Sequence, residues 1–368
     1  MIKKVLLIVL ALTLALSAFG QTLEENLGSM LSENAELYLQ PLGDAFGASM
    51  NSGWYHRSRV HKMLGFDISV KMMVAAVPEE SEFFNFALSE NAMEFDLDAM
   101  VGRDINPLSL TFADIYYESD TRTPTFFGPA DSAGLLVTNQ NHLAGLFEDH
   151  LRQELADAGV PAVAIDAAIA SANINGEVAA LDLDFPLPPG IGLPALPLAM
   201  PQISLGLPMG IELTVRGFPE AEIEDIGTFS MYGGGLRLNI DQFIPIPLFP
   251  VDITASAFYS QMSIGDLIES STTSIGLQVG KSISLLFFGV GLYADAAFES
   301  SALSIGYDVD PSFGIEGDRI QFDMETDPGL RLGAGLHLTF IPLTYVNVHV
   351  SSTPTNQVIT AGLGITLR

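Results

Sequence analysis

The C-terminal half of the chain alternates apolar and polar residues with a period of two. From Gln202 to Arg216, every odd position carries isoleucine, leucine, methionine or valine, and every even position carries a polar residue, glycine or proline. Side chains alternate between two faces only along an extended strand, so this pattern predicts one apolar face and one wet face. We predict that Gln202–Arg216 is a single strand.

The same pattern recurs in later stretches, the last of which ends at the C-terminus: Tyr232–Ile240, Val251–Tyr259, Leu286–Asp295, Leu330–Phe340 and Ile359–Arg368. Strands of about 10–14 residues are long for a globular protein, in which the commonest length is about 5–6. About 9–11 tilted residues suffice to cross an outer membrane. The pattern therefore favours a transmembrane barrel over a secreted soluble β-protein, the other architecture that fits so apolar a chain.

The N-terminal half predicts fewer strands. Alternation from Leu64 to Ala76 predicts one, and Gly53–Val60 is expected to pair with it. Met93–Ala99 and Leu108–Tyr116 are further candidates. The predicted fold class is an all-β membrane protein, an antiparallel transmembrane β-barrel of about 12–14 strands. We assign the barrel to residues 53–368.

Other segments predict helices. Leu23–Leu39 carries apolar residues among acids and predicts one or two helical turns before Pro41. Residues 21–52 are therefore expected to form an N-terminal helical plug, or hatch, in the lumen. His142–Ala158 has apolar residues at helical spacing, and Pro161 opens a second predicted helix.

The stretch from Leu181 to Pro201 contains prolines interleaved with large apolar residues. Prolines at this density exclude a central strand or helix, yet such an apolar loop needs a covering of protein, lipid or ligand. We predict that residues 141–201 form a helical and proline-rich insertion in the barrel.

Residues 1–20 have the features of a secretory signal peptide. Lys3 and Lys4 precede the apolar stretch Val5–Leu16, and small residues at Ala18 and Gly20 fit a cleavage site. The apolar stretch is shorter than the roughly 20 residues that a transmembrane helix needs. The mature protein is expected to begin at Gln21. The chain has no cysteine, which excludes a lipoprotein anchor, a disulfide and a thiolate metal site.

The chain is strongly acidic, with 44 Asp and Glu against 15 Lys and Arg and a formal net charge of −29. Such a charge repels phosphate backbones, so nucleic acid is not an expected partner. The expected location is the bacterial outer membrane, and the expected partners are outer-membrane lipid and a hydrophobic small molecule. We expect a monomer.

The sequence offers little catalytic chemistry. His349 and Ser351 share one strand face and resemble the His-x-Ser of outer-membrane lipid A deacylases. Val346, Val348 and Val350 occupy the opposite face, so the pair is expected to point into the lumen, away from a lipid substrate. No acid follows closely in the loop Thr353–Asn356. We therefore expect neither an enzyme nor a cofactor.

An acidic run near the C-terminus is a candidate calcium site. Asp323, Glu325 and Asp327 would share one face of an extended segment, and carboxylate oxygens are the ligands that Ca²⁺ prefers. The alternative is a solvated acidic rim without metal. His56 and His61 are too loosely spaced to predict zinc.

Glycine and proline motifs carry a family resemblance. They are Gly43–Gly47, Asn51–Trp54, Leu64–Asp67, Gly233–Leu236 and the turn Ile244–Asp252. In these the chain resembles uncharacterised outer-membrane barrels similar to the long-chain fatty-acid (FadL-like) outer-membrane transporters. The resemblance implies a monomeric barrel of about 14 strands with an N-terminal hatch and helical loops that bind hydrophobic substrates. Arg368 departs from the C-terminal aromatic residue of many barrels.

The expected function is passage or capture of small hydrophobic molecules such as fatty acids. Phe229 and Met231 are expected to point into the lumen, where Leu31, Leu37 and Phe46 of the hatch would complete a ligand lining. Two alternatives stay open: a structural or surface-exposed barrel without transport activity, and a lipid-modifying outer-membrane enzyme.

Overall fold

The computed structural model describes residues 32–88, 92–117, 121–223, 227–244, 251–284, 288–308, 319–340 and 343–367. Within these residues ten strands close into one antiparallel barrel, in the order β1-β16-β15-β14-β13-β12-β11-β10-β9-β8. The barrel strands are β1 (Phe66–Ala76), β8 (Ala195–Leu207), β9 (Ile211–Ile223), β10 (Gly227–Asn239), β11 (Asp252–Ile264), β12 (Ile268–Ser284), β13 (Phe288–Asp308), β14 (Arg319–Phe340), β15 (Thr344–Ser352) and β16 (Gln357–Leu367).

The barrel is apolar outside and largely polar inside, the reverse of a soluble protein. On β14 the side chain of Leu336 is 37% exposed, and that of the next residue, His337, is 2% exposed. The same alternation holds along β1 and β16, where Ile68 and Leu363 point outward. The period of two in the sequence therefore predicts the two faces of these strands.

The predicted count of about 12–14 strands is wrong. Gln202–Arg216 is two strands, because the chain reverses at a 3₁₀ turn, Pro208–Gly210, in which Met209 and Gly210 have φ angles of 64° and 69°. Gly53–Val60 is not a strand but lies in the lumen.

Met93–Ala99 and Leu108–Tyr116 are not barrel strands either. They contribute the short hairpin β3 (Ala92–Phe95) and β4 (Leu108–Thr111), with the one-turn helix α2 (Asp98–Val101) between the two strands and the one-turn helix α3 (Phe112–Ile115) after β4.

The predicted boundaries of the insertion are also wrong. Residues Phe83–Pro124 and Pro129–Gly190, which follow β1 and precede β8 in the sequence, form a compact unit of their own, and residues 195–201 belong to the barrel. This unit holds β2 (Phe83–Asn85), β3, α2, β4, α3, β5 (Arg122–Pro124), β6 (Leu135–Leu136), α4 (Gln140–Asp157), α5 (Ala162–Ser171), α6 (Ile174–Ala180) and β7 (Phe185–Pro186). Helices α4 and α5 lie where helical spacing predicts them. They pack with the short strands around a buried apolar core that includes Phe147 and Leu151.

Prolines do occur in β8, contrary to the expectation from their density. The Gly206 N–H donates to the Gly65 carbonyl and the Val77 N–H donates to the Pro194 carbonyl. In the register of β8 with β1, the even residues of β8 therefore direct their backbone N–H and C=O groups towards β1. Pro197 and Pro201 stand at odd positions, where a backbone N–H would point towards β9 and not towards β1. Strand β9 pairs with β8 only from Gln202 to Leu207. The prolines therefore interrupt no ladder, as at an edge strand.

Within the described part of the chain, one helix precedes the barrel strands, α1 (Ser32–Asn51). The predicted helical turns were expected to end before Pro41. This expectation is wrong, because Pro41 lies inside α1. Proline in a helix removes one hydrogen bond, and the buried residues Leu39, Leu42 and Phe46 on α1 indicate that packing offsets the loss. Among the described helices none is long and apolar enough to cross a bilayer. The predicted signal peptide 1–20 and Leu31 lie outside the described residues.

Candidate functional site

The lumen is the candidate site, and it has two ends. We call the end where β1 begins and β16 finishes the turn end, and the opposite end the loop end. Helix α1 occupies the loop end and contacts β1, β8, β11, β12, β13, β14 and β16. Residues Ser52–Lys62, here called the inner segment, continue from α1 towards the turn end and lead into β1.

The loop-end half of the lumen is apolar. Met231, Met262, Leu303 and Ile305 are buried on the inner faces of their strands. Leu196, Leu198 and Met200 of β8 are buried there too. On α1 the buried residues include Tyr38, Leu39, Leu42 and Phe46. Helix and wall therefore form one apolar layer.

Two glycines let α1 approach β13 closely. A Cβ atom added at Gly47 would lie 2.3 Å from the Ser301 Oγ, and one added at Gly43 would lie 3.1 Å from Leu303 Cδ2. Any larger side chain at Gly47 would push the helix away from the wall. The motif Gly43–Gly47 in the sequence is thus explained by packing rather than by chemistry.

A strap of the chain, Thr125–Gly128, holds the N-terminal part of α1. The Phe126 N–H donates to the Tyr38 carbonyl at 3.0 Å, and the two rings meet edge to face with centroids 6.0 Å apart. Both side chains are buried. The strap fixes α1 in the loop end without a strand of its own.

The wall binds the inner segment mainly through its carbonyl groups. Gln202 Nε2 donates to the Trp54 carbonyl at 2.9 Å, and Arg216 Nη1 donates to the Ser52 carbonyl at 2.8 Å. Arg237 Nη2 donates to the carbonyls of Arg57 and Ser58 at 2.6 and 3.0 Å. Thr254 Oγ1 also donates to Ser58, and Arg216 Nη2 also donates to Met50. Side chains of four strands therefore bind four carbonyl groups of the segment.

Trp54 is the main side-chain anchor of the inner segment. Its ring stacks on Phe258 with a centroid separation of 4.4 Å and an interplanar angle of 8°. The guanidinium carbon of Arg216 lies 3.4 Å from the centre of the Trp54 ring. All three side chains are buried. Stacking and cation–π attraction therefore act on one indole from both neighbours.

Glu212 links the wall to the end of the inner segment. Its Oε1 accepts from Arg237 Nη1 at 2.8 Å, and its Oε2 accepts from the His61 N–H at 2.8 Å and contacts His61 Nδ1 at 2.7 Å. His61 Nε2 lies 3.0 Å from Thr366 Oγ1 on β16. One buried carboxylate thus joins three barrel strands to the segment, a fully bonded arrangement that a buried charge requires.

A second charged cluster lies higher in the lumen. Arg331 Nε lies 2.8 Å from Glu299 Oε1, and Arg331 Nη2 lies 3.5 Å from Asp295 Oδ2. Arg331 Nη2 also donates to the Tyr55 hydroxyl at 3.1 Å. Arg331 thus pairs with two acidic side chains and bonds to Tyr55 of the inner segment, so the polar network of the lumen extends beyond Glu212.

The predicted ligand-lining residues lie at the loop end. Phe229 and Met231 are buried on the inner face of β10, as their alternation predicts, and Phe46 is buried on α1. Leu37 is half-buried, and Leu31 lies outside the described residues. Their role in binding a ligand stays a prediction.

His349 and Ser351 are buried on the inner face of β15. Sequence reasoning missed the acid: Asp295 on β13 places its Oδ1 2.6 Å from His349 Nε2, although 54 residues separate the two. The only sequence signal was the position of Asp295 on the polar face of its strand. The histidine thus belongs to the charged cluster, and the expectation of no enzymatic activity stays a prediction.

The calcium candidates lie on the hairpin of β13 and β14. Asp323 and Glu325 are exposed, two positions apart on one face, while the side chain of Asp327 lies outside the described residues. Among the residues described, no group of three or more His, Asp or Glu side chains is placed to hold a metal ion. Calcium binding at Asp323 and Glu325 stays a prediction.

The hydrogen-bond ladder of the barrel wall is interrupted at the loop end, and we call this interruption the gap. Strands β8 and β9 are hydrogen-bonded only between Gln202–Leu207 and Ile211–Arg216, so within the described residues no ladder joins Ala195–Pro201 to Gly217–Ile223. A β-bulge distorts the pairing of β9 with β10 at this height. Pro197, Pro201 and Pro219 supply no N–H at these edges. The gap lies beside the apolar inner residues of β8.

Residues 1–367 match the model of DUF6588, a family of unknown function. The chain belongs to this family. No curated protein matches the DUF6588 chain significantly.

Several solved β-barrels show a distant likeness to the DUF6588 chain. The N-terminal β-barrel domain of Pseudomonas aeruginosa OprF is 13% identical; the likeness covers 43% of this chain and 96% of that one, with a TM-score of 0.22. The KdgM porin, in complex with disordered oligogalacturonate, is 10% identical. The likeness covers 46% of this chain and 93% of that one, with a TM-score of 0.22. Ail, the attachment invasion locus protein of Yersinia pestis, is 13% identical. The likeness covers 42% of this chain and 94% of that one, also with a TM-score of 0.22. The barrel assignment rests on the strand pairing of the DUF6588 chain itself, and its similarity to fatty-acid transporters stays a prediction.

Proposed function

We propose that this protein is a bacterial outer-membrane β-barrel through which small hydrophobic molecules, such as fatty acids, are captured or passed. The observation that carries the proposal is the gap between β8 and β9, which lies beside the apolar half of the lumen. A hydrophobic molecule needs such an apolar route, because burying it among unpaired polar groups would cost free energy.

The apolar outer face supports a membrane location. Exposed leucine, isoleucine, valine and phenylalanine side chains line the outside of the barrel; examples are Leu292, Leu332 and Ile359. Soluble monomers rarely expose apolar patches larger than a few hundred Å². An outward apolar band around a closed sheet is the arrangement by which a β-barrel meets lipid.

The polar half of the lumen makes an axial route unsuitable for hydrophobic cargo. Paired charges such as Glu212 with Arg237 and Glu299 with Arg331 fill it together with the inner segment. We therefore place the proposed route at the loop end, sideways between β8 and β9, with Phe229, Met231 and Phe46 as lining residues.

Restoring backbone donors at the gap tests the route. The double variant Pro197→Val, Pro201→Val supplies two N–H groups facing β9 and is expected to extend the ladder and slow uptake of a fluorescent long-chain fatty acid into protein-containing vesicles. Pro354→Val, a change in the exposed loop between β15 and β16, is the matched control and should leave uptake unchanged. Equal uptake by the double variant and the wild type would contradict the lateral route.

The second candidate is a structural or surface-exposed barrel without transport. It is favoured by the separately folded unit of residues 83–124 and 129–190, which the chain inserts between two barrel strands. Vesicles that take up no more probe with the wild-type protein than without it would favour this candidate over the first.

A further inference from the structure

We propose that a cleft beside α1 at the loop end binds a linear aliphatic diamine or polyamine. The cleft lies between α1, residues 299–301 of β13, Glu325 and Gly329 of β14, and residues 353–355 of the loop after β15, and we call it the acidic cleft. Its volume is about 450 Å³, and small-molecule sites usually measure about 300–1,000 Å³. It is distinct from the gap between β8 and β9, so this inference does not depend on the hydrophobic route.

Unbalanced charge in the acidic cleft is the first argument. Asp44 on α1 and Glu325 on β14 line it, and within the described residues neither carboxylate has an ion pair or a hydrogen bond. Among the described residues that line the cleft, none is Lys, Arg or His. Burial raises the pKa of Asp44 to about 6, as expected for a carboxyl group without a cationic neighbour. A cation from solvent would therefore be attracted to the cleft.

An unpartnered oxygen of Glu299 is the second argument. This side chain also lines the acidic cleft and is only 8% exposed. Its Oε1 lies 2.8 Å from Arg331 Nε and accepts from Ser274 Oγ at 3.1 Å. Its Oε2 has no hydrogen-bond partner among the described residues. A buried oxygen without a donor costs free energy, and an ammonium group in the cleft would supply the missing donor.

The arrangement of the acids favours an organic cation over a metal ion. Among the residues that the structure describes, no group of three or more His, Asp or Glu side chains is placed to hold one metal ion. A linear diamine carries two charges that methylene groups keep apart, so each ammonium can meet a different carboxylate. Gly47, Ala48 and Pro354 also line the cleft and offer small or apolar surface to the methylene groups.

A second, smaller cavity extends the same acidic lining. Its volume is about 70 Å³, and it shares Asp44 and Glu325 with the acidic cleft and adds Glu36 from the exposed side of α1. A triamine such as spermidine therefore finds a third carboxylate beside the first two. Because Asp44 is on the helix and Glu325 is on the wall, a bound amine would tie α1 to β14.

Calorimetric titration of the full-length protein with spermidine, in a nonionic detergent near neutral pH, tests the site. We expect saturable binding, which Asp44→Asn and Glu325→Gln should each weaken roughly tenfold or more, because each removes one charge-assisted hydrogen bond. Glu325 is exposed, so Glu325→Gln keeps the test valid if Asp44→Asn does not fold. Asp323→Asn is the matched control: Asp323 is exposed two positions from Glu325 and does not line the cleft, so binding should stay nearly unchanged.

Two ligands of the same carbon chain test the recognition of separate charges. Diaminobutane should bind roughly tenfold or more tightly than butylamine, which has a single ammonium group. Absence of saturable spermidine binding to the folded protein, equal weakening by Asp323→Asn and Glu325→Gln, or equal binding of diaminobutane and butylamine would each overturn the proposal. None of these results bears on fatty-acid uptake, so the two proposals fail separately.

Discussion

Arg237→Ala should release the inner segment while the barrel stays closed. The change removes the 2.8 Å ion pair with Glu212 and the two hydrogen bonds to the carbonyls of Arg57 and Ser58. It also leaves Glu212 buried with only His61 as a partner. Breaking one side of a buried ion pair costs about 3–5 kcal/mol. Since about 1.4 kcal/mol is a factor of ten, local opening should become roughly 10²–10⁴-fold more frequent.

Hydrogen exchange read by mass spectrometry measures this opening directly. Peptides that cover the inner segment should exchange faster in Arg237→Ala, and peptides from β12 should not. Arg59→Ala is the matched control: Arg59 is exposed and lies 3.9 Å from Asp252, and such a pair contributes about 0–1 kcal/mol. If both variants accelerate exchange equally, or if neither does, the buried network does not hold the segment.

Three further outcomes are expected. Leu336→Arg, on the outer face, should lower the unfolding free energy of the inserted barrel by about 2–4 kcal/mol if it lies at mid-membrane, and Phe340→Arg, nearer the strand end, should lower it by about 0–1 kcal/mol. Urea unfolding in vesicles measures both changes. Nearly equal losses from the two variants would indicate a soluble protein instead. Gly47→Ala should lower the melting temperature, because its Cβ would meet Ser301, and adding Ser301→Gly should restore part of the loss; no loss would mean that α1 does not need this contact. Burial raises the pKa of Asp44 to about 6, so the stability of the folded protein should fall as pH rises from about 4 through about 6; melting curves of Asp44→Asn should lack this fall, and an unchanged profile would exclude Asp44 as its source.

The sequence predicts the two faces of the strands well, because a period of two is a local property. It fails at the turn between β8 and β9 for a physical reason. Leu207 and Ile211 face each other across the turn and belong to the same outward set, so the alternation continues without a break of phase. One strand and two strands therefore have the same pattern of apolar residues.

The polar site could not be predicted in the same way. The partners of the inner segment, such as Arg216 and Arg237, lie more than 150 residues away in the chain. Nothing near Gly53–Val60 indicates that its carbonyl groups are bound by a distant wall. Likewise, the pairing of His349 with Asp295 depends on the register of three strands, which only closure of the barrel brings together.

The barrel closes where β1 pairs with β16, a junction that we call the seam, and this closure is linked to the segment that fills the lumen. Strands β1 and β16 pair along their whole length although they stand near opposite ends of the sequence, and we expect contacts of such high sequence separation to form late. The inner segment directly precedes β1 and contacts β16 through His61 and Thr366. A sheet that closed before the segment was in place would require the N-terminal residues to be threaded through a finished ring. We therefore expect the sheet to close around the segment, so that the occupant of the lumen serves as a template for the wall that surrounds it.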